Sequence, residues 1–440
     1  MAFHAFTDDM SHFWMPFTAS RQFKAAPRLL ESAKGMYYRS SDGQQILDAC
    51  AGLWCVAAGH CREEITSAVS AAMAKLDYAP TTQFAHPLAF EAAAKVAKLM
   101  PEGLDRIFFT NSGSEAVDTA LKIALAYHQA RGESQRTGFI GRERSYHGAG
   151  FGGTSVGGVS VNRKAFAGAL LPNVDHMPSI HNLEHNAFSR GQPTWGAHLA
   201  DDLERLVALR DPSTIAAVIV DPMAGSVFVP PQGYLQRLRE ITSKHGILLI
   251  FDEVITAFGR LGKATASAFF GVTPDLLTMA KAINNGTVPM GAVAAHRQVY
   301  DTIIANSAPG EADLYHGYTY SAHPTAAAAT IATLDLYQKE GLFERAASLA
   351  PAFERAAHAL RDAPHVKDIR NLGLCAGIEL ESRPNGIGER SQEIFDGCFE
   401  AGVLIRHAGD FVAFAPPLII EEAQIEQIFD TVRKVLMSVK

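Results

Sequence analysis

Two charged side chains at the ends of apolar runs are the first candidates for chemistry. Ile247 to Phe251 is a continuous apolar run, the pattern of a strand buried on both faces, and it ends in Asp252 and Glu253. The stretch from Asp275 to Ala280 is a second apolar run, and it ends in Lys281. In an open α/β sheet, an acid and a lysine at the carboxyl ends of strands can face one another across a cleft. A lysine so placed can form a Schiff base with an aldehyde, and a carboxylate can pair with a pyridinium nitrogen. That combination suits pyridoxal phosphate chemistry. Taken singly, each is also the ordinary solvated residue that follows a strand.

Other stretches supply elements that could position such a pair. Arg106 to Thr110 reads as a strand, and NSGSEAVDTALKIALAYHQA after it opens a long helix with small polar residues and an early acid. Free N–H groups at such a helix start bind anions, and Gly113 allows close approach. Ser followed by an acid also reads as an ordinary capping box. Gly138 to Ile140 begins the next strand, followed by ERSYHGAGFGGTSVGG. Its glycines form neither a P-loop, which needs Gly-Lys-Ser/Thr, nor a dinucleotide fingerprint, which needs a helix start in register. Tyr146 and His147 sit just after that strand. Thr214 to Val220 is a further buried strand, and PMGAV begins another after Lys281. PRLLESAKGMYYRSSDGQQILDA carries a hairpin signal around Ser-Asp-Gly. Residues 160–210 read as surface excursions that then turn helical. VKDIRNLGLCAGIEL reads as a hairpin-like pair, and VLIRHAGDFVAFAPPLII as one strand before a closing amphipathic helix.

Composition narrows the class. The chain has 440 residues, enough for two or three structural domains, with 48% hydrophobic and 19% charged residues. A formal charge of −7 and the lack of a basic, aromatic-laced cluster argue against a nucleic-acid partner. No apolar run approaches the ~18 residues of a membrane span, and the opening residues lack the pattern of a signal peptide. Five cysteines without CxxC pairs fit a reduced cytoplasmic protein. Cys55, His60 and Cys61 match no zinc spacing, so no metal is expected.

The longer match is more specific. FDEVITAFGR, then TPDLLTMAK and PMGAV, with TNSGSEA upstream and HGYTY downstream, resembles the class III (subgroup II) pyridoxal phosphate aminotransferases. Within them it resembles the ω-amino acid:pyruvate (β-alanine:pyruvate) type, the ω-transaminases, over nearly the whole chain. The resemblance implies fold type I: a mainly parallel, seven-stranded-type sheet in a large domain (residues 61–330), with a smaller α+β domain made from residues 331–440 and an N-terminal arm, residues 1–60. It implies pyridoxal 5'-phosphate linked to Lys281, with Asp252 on the ring nitrogen, Gly113 and Ser114 on the phosphate, and Tyr146, His147 and Val254 around the ring. Thr319 would cross a dimer interface to the partner's phosphate, which makes an obligate homodimer with shared sites part of the expectation, with pairing of dimers into a tetramer left open. Trp54, Phe84 and Tyr146 would wall the substrate pocket, and Arg406 would receive a carboxylate. Without the resemblance, Trp54 reads as core packing, Tyr146 as a loop aromatic, Phe84 as packing at a subunit contact, Thr319 as a helix cap and Arg406 as a snorkelling surface arginine.

The implied activity is transfer of an amino group from an ω-amino acid or primary amine to a keto acid, pyruvate. Rivals on the same fold are a γ-aminobutyrate- or ornithine-type enzyme using 2-oxoglutarate, an aminomutase, a decarboxylase and a non-catalytic binder. Two departures bear on the substrate. Asp221 stands where the family usually has Glu, before a turn about two residues short, and that change is expected to alter how the substrate arginine is held. Ala413 replaces a polar contact found in some β-alanine-using relatives. Asn285-Gly286-Thr287 is a glycosylation sequon by pattern only.

Overall fold

The computed structural model describes residues 10–439 apart from residue 224. Residues 1–9, the first part of the stretch 1–15 on which the expectation of no signal peptide rests, lie outside the described residues. The apolar run before Asp252 becomes the strand Leu248–Asp252, fourth of seven in the main sheet. Across that sheet the strands run Arg106–Thr110, Gly291–Ala295, Leu276–Met279, Leu248–Asp252, Ile215–Val220, Gly138–Arg142 and Val174–Met177. Neighbours from Leu276–Met279 to Val174–Met177 are parallel, and Gly291–Ala295 is antiparallel to both of its neighbours. The sheet is therefore mainly parallel and seven-stranded, as expected.

Burial on both faces explains why the central strands read as continuous apolar runs rather than alternating ones. Ile250 packs on one side with Ala116, Ala120 and Ala124 of the helix Gly113–Ala130. Alanines at every fourth position leave that helix a low face, so it lies close to the sheet. Leu249 and Phe251 pack on the other side with Leu235, Leu238 and Ile241 of the helix Tyr234–His245. That helix ends at Gly246, whose left-handed φ of 64° turns the chain back. The next N–H, of Ile247, bonds the Thr242 carbonyl at 3.0 Å, and the chain passes straight into the central strand.

The two ends of the chain meet in a second sheet. Leu30–Lys34, Tyr37–Ser40 and Gln45–Asp48 form an antiparallel ribbon, and Val403–Leu404 adds to it in parallel. A third, antiparallel sheet runs Val366–Leu372, Cys375–Leu380, Phe411–Phe414 and Arg406–Ala408, with the last at its edge.

Two expectations need correction. The span expected as one strand before the closing helix is three: Val403–Leu404, Arg406–Ala408 and Phe411–Phe414. A turn at Gly409, with φ 52°, reverses the chain between the last two. The stretch read as surface excursions contributes a strand, Val174–Met177, at the sheet edge. An edge strand pairs on one side only, so its sequence, VDHM, carries little apolar signal.

Because Phe251 is fully buried under the site, Phe251→Ala should cost about 3–5 kcal/mol and clearly lower the urea midpoint of unfolding. Leu209→Ala, at an exposed position, should shift it by no more than about 0.5 kcal/mol.

Candidate active site

The parallel register sets Asp252 beside Thr278, one strand over. Asp252 is only 7% exposed, and a carboxylate buried there must be hydrogen-bonded. Its Oδ2 accepts from His147 Nδ1 at 2.8 Å. Its Oδ1 accepts from the Thr278 hydroxyl at 3.1 Å and the Val254 N–H at 3.2 Å. His147, 1% exposed, reaches the acid from the loop after Gly138–Arg142. Glu253 faces elsewhere. It accepts from the N–H groups of Ala266 and Ser267 at the start of a short helix, and burial pushes its carboxyl up to about 7.

Lys281 follows the strand Leu276–Met279 and opens a tight turn with a left-handed φ of 51°. The turn is pinned from outside. Asn285 accepts from the Ala58 N–H at 2.7 Å and donates to the Gly59 carbonyl at 2.9 Å, and Tyr337 donates to the Ala282 carbonyl at 2.7 Å. The asparagine of the glycosylation pattern is thus buried and fully engaged. The Lys281 amine has no hydrogen bond or ion pair among the described residues. Burial lowers its pKa, opposed by the charges of Cys55 and Asp252. A lysine that gives up its proton more readily is a better nucleophile and base.

At the start of the helix Gly113–Ala130, Ser112 caps by accepting from the Glu115 N–H at 3.1 Å, and Glu115 accepts from the Asn111 N–H at 2.7 Å. A Cβ on Gly113 would lie 2.8 Å from Val254 Cγ1, so only glycine lets the helix start approach the residue beside Asp252. The Ser114 hydroxyl accepts from the Ala149 N–H at 3.0 Å, which leaves its hydrogen free to donate. The first N–H groups of a helix have no partner within it. These groups fit an anion held at the helix start, with the acid and the amine further along the same cleft edge.

Tyr146 is partly exposed. Burial raises its pKa, Asp252 raises it further, and the charge of Arg406 pulls it back, so the phenol feels both charges. Arg406 heads the edge strand opposite Ala413, is exposed, and forms no ion pair among the described residues. Trp54 is 4% exposed and ends a contorted turn in which Ala51, Gly52 and Trp54 all have positive φ. Asp48 organises that turn. It accepts from the N–H groups of Cys50 at 2.9 Å and Gly52 at 2.6 Å and from His60 Nε2 at 2.8 Å.

The structure brings Asp252, Val254, His147, Ser114 and Gly113 together directly, and Tyr146 and Arg406 by their charges. Phe84 and Thr319 remain outside. Phe84 is 70% exposed, and Thr319 is an exposed residue whose carbonyl accepts from the Tyr78 hydroxyl at 3.1 Å. Asp221 is buried and pairs with Arg142 and the Ser145 hydroxyl (2.8 Å). Sequence reading passed over Thr278 and Asp48. Thr278 could have been found as the one polar residue in the run LLTMA before Lys281. Asp48 could not, because its partners converge only once the turn has formed.

Among the described residues, one group, His181, Asp368 and Glu379, has donor atoms close enough to share a cation. Arg370 already sits there, 2.5 Å from Asp368 and 2.9 Å from Glu379. Burial opposes it, but His181 and Arg370 hold the Glu379 carboxyl down to about 2.

The architecture is fold type I of the pyridoxal phosphate-dependent enzymes. The family model described as "Aminotransferase class-III" matches residues 18–436. The chain is 57% identical over 431 residues to an omega-aminotransferase of Caulobacter vibrioides, covering 98% of each. It is 47% identical over 428 residues to a beta-alanine--pyruvate aminotransferase of Pseudomonas aeruginosa, covering 96% of this chain and 95% of the relative. The solved omega transaminase of Pseudomonas jessenii in complex with PMP superposes with a TM-score of 0.91 at 30% identity, covering 97% of this chain and 96% of that one. The chain belongs to the class-III aminotransferases.

Asp48→Ala would leave two buried N–H groups and the His60 ring without their acceptor, at about 1–3 kcal/mol each. It should lower the melting temperature by several degrees and change the near-ultraviolet circular dichroism that reports on Trp54. Asp48→Asn should recover part of both.

Proposed function

We propose that this chain is a pyridoxal 5'-phosphate-dependent aminotransferase that moves an amino group from an ω-amino acid or primary amine to pyruvate, giving alanine and an aldehyde or ketone. The observation that carries this reading is the unpaired, desolvated Lys281 amine one strand from the buried Asp252 carboxylate, at the ends of Leu248–Asp252 and Leu276–Met279. The names of the Caulobacter vibrioides and Pseudomonas aeruginosa relatives support the reaction, and the neighbour solved with PMP supports the cofactor.

In this reading, Gly113 and Ser114 hold the phosphate with backbone N–H groups and one hydroxyl. Val254 and Tyr146 would bound the ring, and the Asp252 carboxylate, oriented by His147 and Thr278, would lie beside the ring nitrogen and keep it protonated. When bound, the cofactor would supply an electron-withdrawing ring able to accept the electrons left when the amine-bearing carbon loses its proton. Lys281 Nζ would anchor the aldehyde between turnovers; freed when the incoming amine takes its place, it would accept the proton from the amine-bearing carbon and deliver that proton to the carbon that came from the aldehyde. Its depressed pKa keeps a larger share of the amine free to act as base at neutral pH.

Trp54 would wall the substrate side from within the chain, whereas Phe84, which lies outside this chain's own site, would do so only across a dimer contact. An ω-amino acid carries its carboxylate far from the reacting carbon, whereas pyruvate carries it adjacent. The long, unpaired Arg406 serves both through two parallel N–H bonds and swings away for an apolar group.

We also infer a homodimer. Phe84, Phe90, Tyr78 and Tyr320 are large apolar residues left exposed, and a second copy covering them would bring its Thr319 to the phosphate. The division into residues 1–60, 61–330 and 331–440 is retained, supported by the sheet that joins Gln45–Asp48 to Val403–Leu404. All five cysteines are free thiols, which supports a cytoplasmic setting. No helix among the described residues is long and apolar enough to cross a membrane.

The deciding experiment is a donor-by-acceptor activity matrix: β-alanine and simple aryl-alkyl amines against pyruvate and 2-oxoglutarate. Pyruvate should be preferred at least about tenfold, a gap of roughly 1.4 kcal/mol, and preference for 2-oxoglutarate would overturn the assignment. Lys281→Ala should abolish turnover and the visible absorbance of the linked cofactor. Arg406→Ala should reduce turnover of keto acids far more than the half-reaction of an aryl-alkyl amine, and equal losses would remove Arg406 from the carboxylate role.

A further inference from the structure

The glycine-rich loop after Tyr146 and His147 fits no nucleotide motif, and the structure gives it another use. Two residues one turn apart on the helix Gly113–Ala130 grip it. The Ser114 hydroxyl accepts from the Ala149 N–H at 3.0 Å, and Asp118 Oδ1 accepts from the Gly153 N–H at 2.9 Å. Residues four apart share a helix face, so both reach the same loop. The contact is too close for side chains. A Cβ on Gly148, whose φ is 96°, would lie 2.6 Å from Ser114 Oγ, and one on Gly150 would lie 2.5 Å from Asp118 Oδ2. A Cβ on Gly152 would collide with Asp118 Oδ1, and one on Gly153 with the His147 carbonyl oxygen. Asp118 is half-buried beneath this loop.

We propose that Asp118 is a positioning residue of the cofactor site, holding the loop that carries Tyr146 and His147 at a set distance from the phosphate-binding helix start. The linkage is physical at each step. Asp118 holds Gly153, Gly153 packs on the His147 backbone, and the His147 imidazole donates to Asp252. The phosphate end and the ring-nitrogen end of the site, which lie on different elements, are thereby given one spacing. Asp118 touches neither end itself. Its carboxyl is pushed up by burial and pulled back by the Gly153 N–H and by Lys122, so the hydrogen bond offsets a real desolvation cost.

This inference rests on the pyridoxal phosphate reading, and the experiment separates the two. Apo-protein is titrated with pyridoxal phosphate for wild type, Asp118→Ala and Asp118→Asn, and the melting temperature of each apo-form is recorded. Asp118→Ala should weaken pyridoxal phosphate binding about tenfold or more, the scale of one hydrogen bond to a charged acceptor, with the apo melting temperature within about 2 °C of wild type. Asp118→Asn keeps an oxygen for the Gly153 N–H and should return the affinity to within about threefold of wild type. Unchanged affinity in Asp118→Ala would overturn the proposal. So would an apo-form melting loss that accounts for the weaker binding, or an Asp118→Asn variant as weak as Asp118→Ala. A wild-type protein that takes up no pyridoxal phosphate overturns the cofactor reading itself, before any variant is compared.

Discussion

A carboxylate buried at the end of a central strand must be surrounded by donors or it would take up a proton. Asp252 is surrounded from three directions: His147 from the loop after a strand two places away, Thr278 from the adjacent strand, and the Val254 N–H from its own chain. Each contact demands something elsewhere. The Thr278 bond requires the parallel register of Leu248–Asp252 with Leu276–Met279. The Val254 bond requires the chain to turn at once, and that turn puts Val254 against Gly113. The His147 bond requires the glycine loop to lie close on the helix Gly113–Ala130. Strand register, helix approach and loop composition are thus tied to one negative charge.

The same economy governs the lysine. A tight turn with a left-handed residue at Lys281 is an uncommon conformation for a side chain with a Cβ. It is held by partners far away in sequence, with Asn285 bonded to the backbone of Ala58 and Gly59 and Tyr337 bonded to Ala282. Residues that look like a glycosylation signal and a core aromatic are therefore the fixings of the amine.

How much of this was legible in the chain follows from what each feature depends on. The central strands were legible because burial on both faces writes itself as an unbroken apolar run, and Asp252 and Lys281 stood out as charges ending such runs. The helix start at Ser112 to Glu115 was legible because capping is local. The edge strand Val174–Met177 was not, since only its two ends, Val174 and Met177, pack into the core and leave Asp175 and His176 between them, and the reversal at Gly409 was hidden inside an apolar stretch. Contacts spanning long separations were invisible: Arg142 with Asp221, Asp48 with His60 across a contorted turn, Asp118 with a loop whose path is set by sterics. Phe84 and Thr319 lie on the surface of one chain, so nothing within that chain could test them.

Arg406 and the acid–amine pair ride on different sheets. The arginine heads the edge strand of the small antiparallel sheet, whereas Asp252 and Lys281 end strands at the centre of the large one. An outer strand pairs with one neighbour only, so it tolerates slips, added residues and altered turns that a central strand does not. A lineage carrying this scaffold can therefore relocate a cation by several ångströms while the catalytic core keeps its geometry, and new molecules can be recognised without rebuilding the reacting centre.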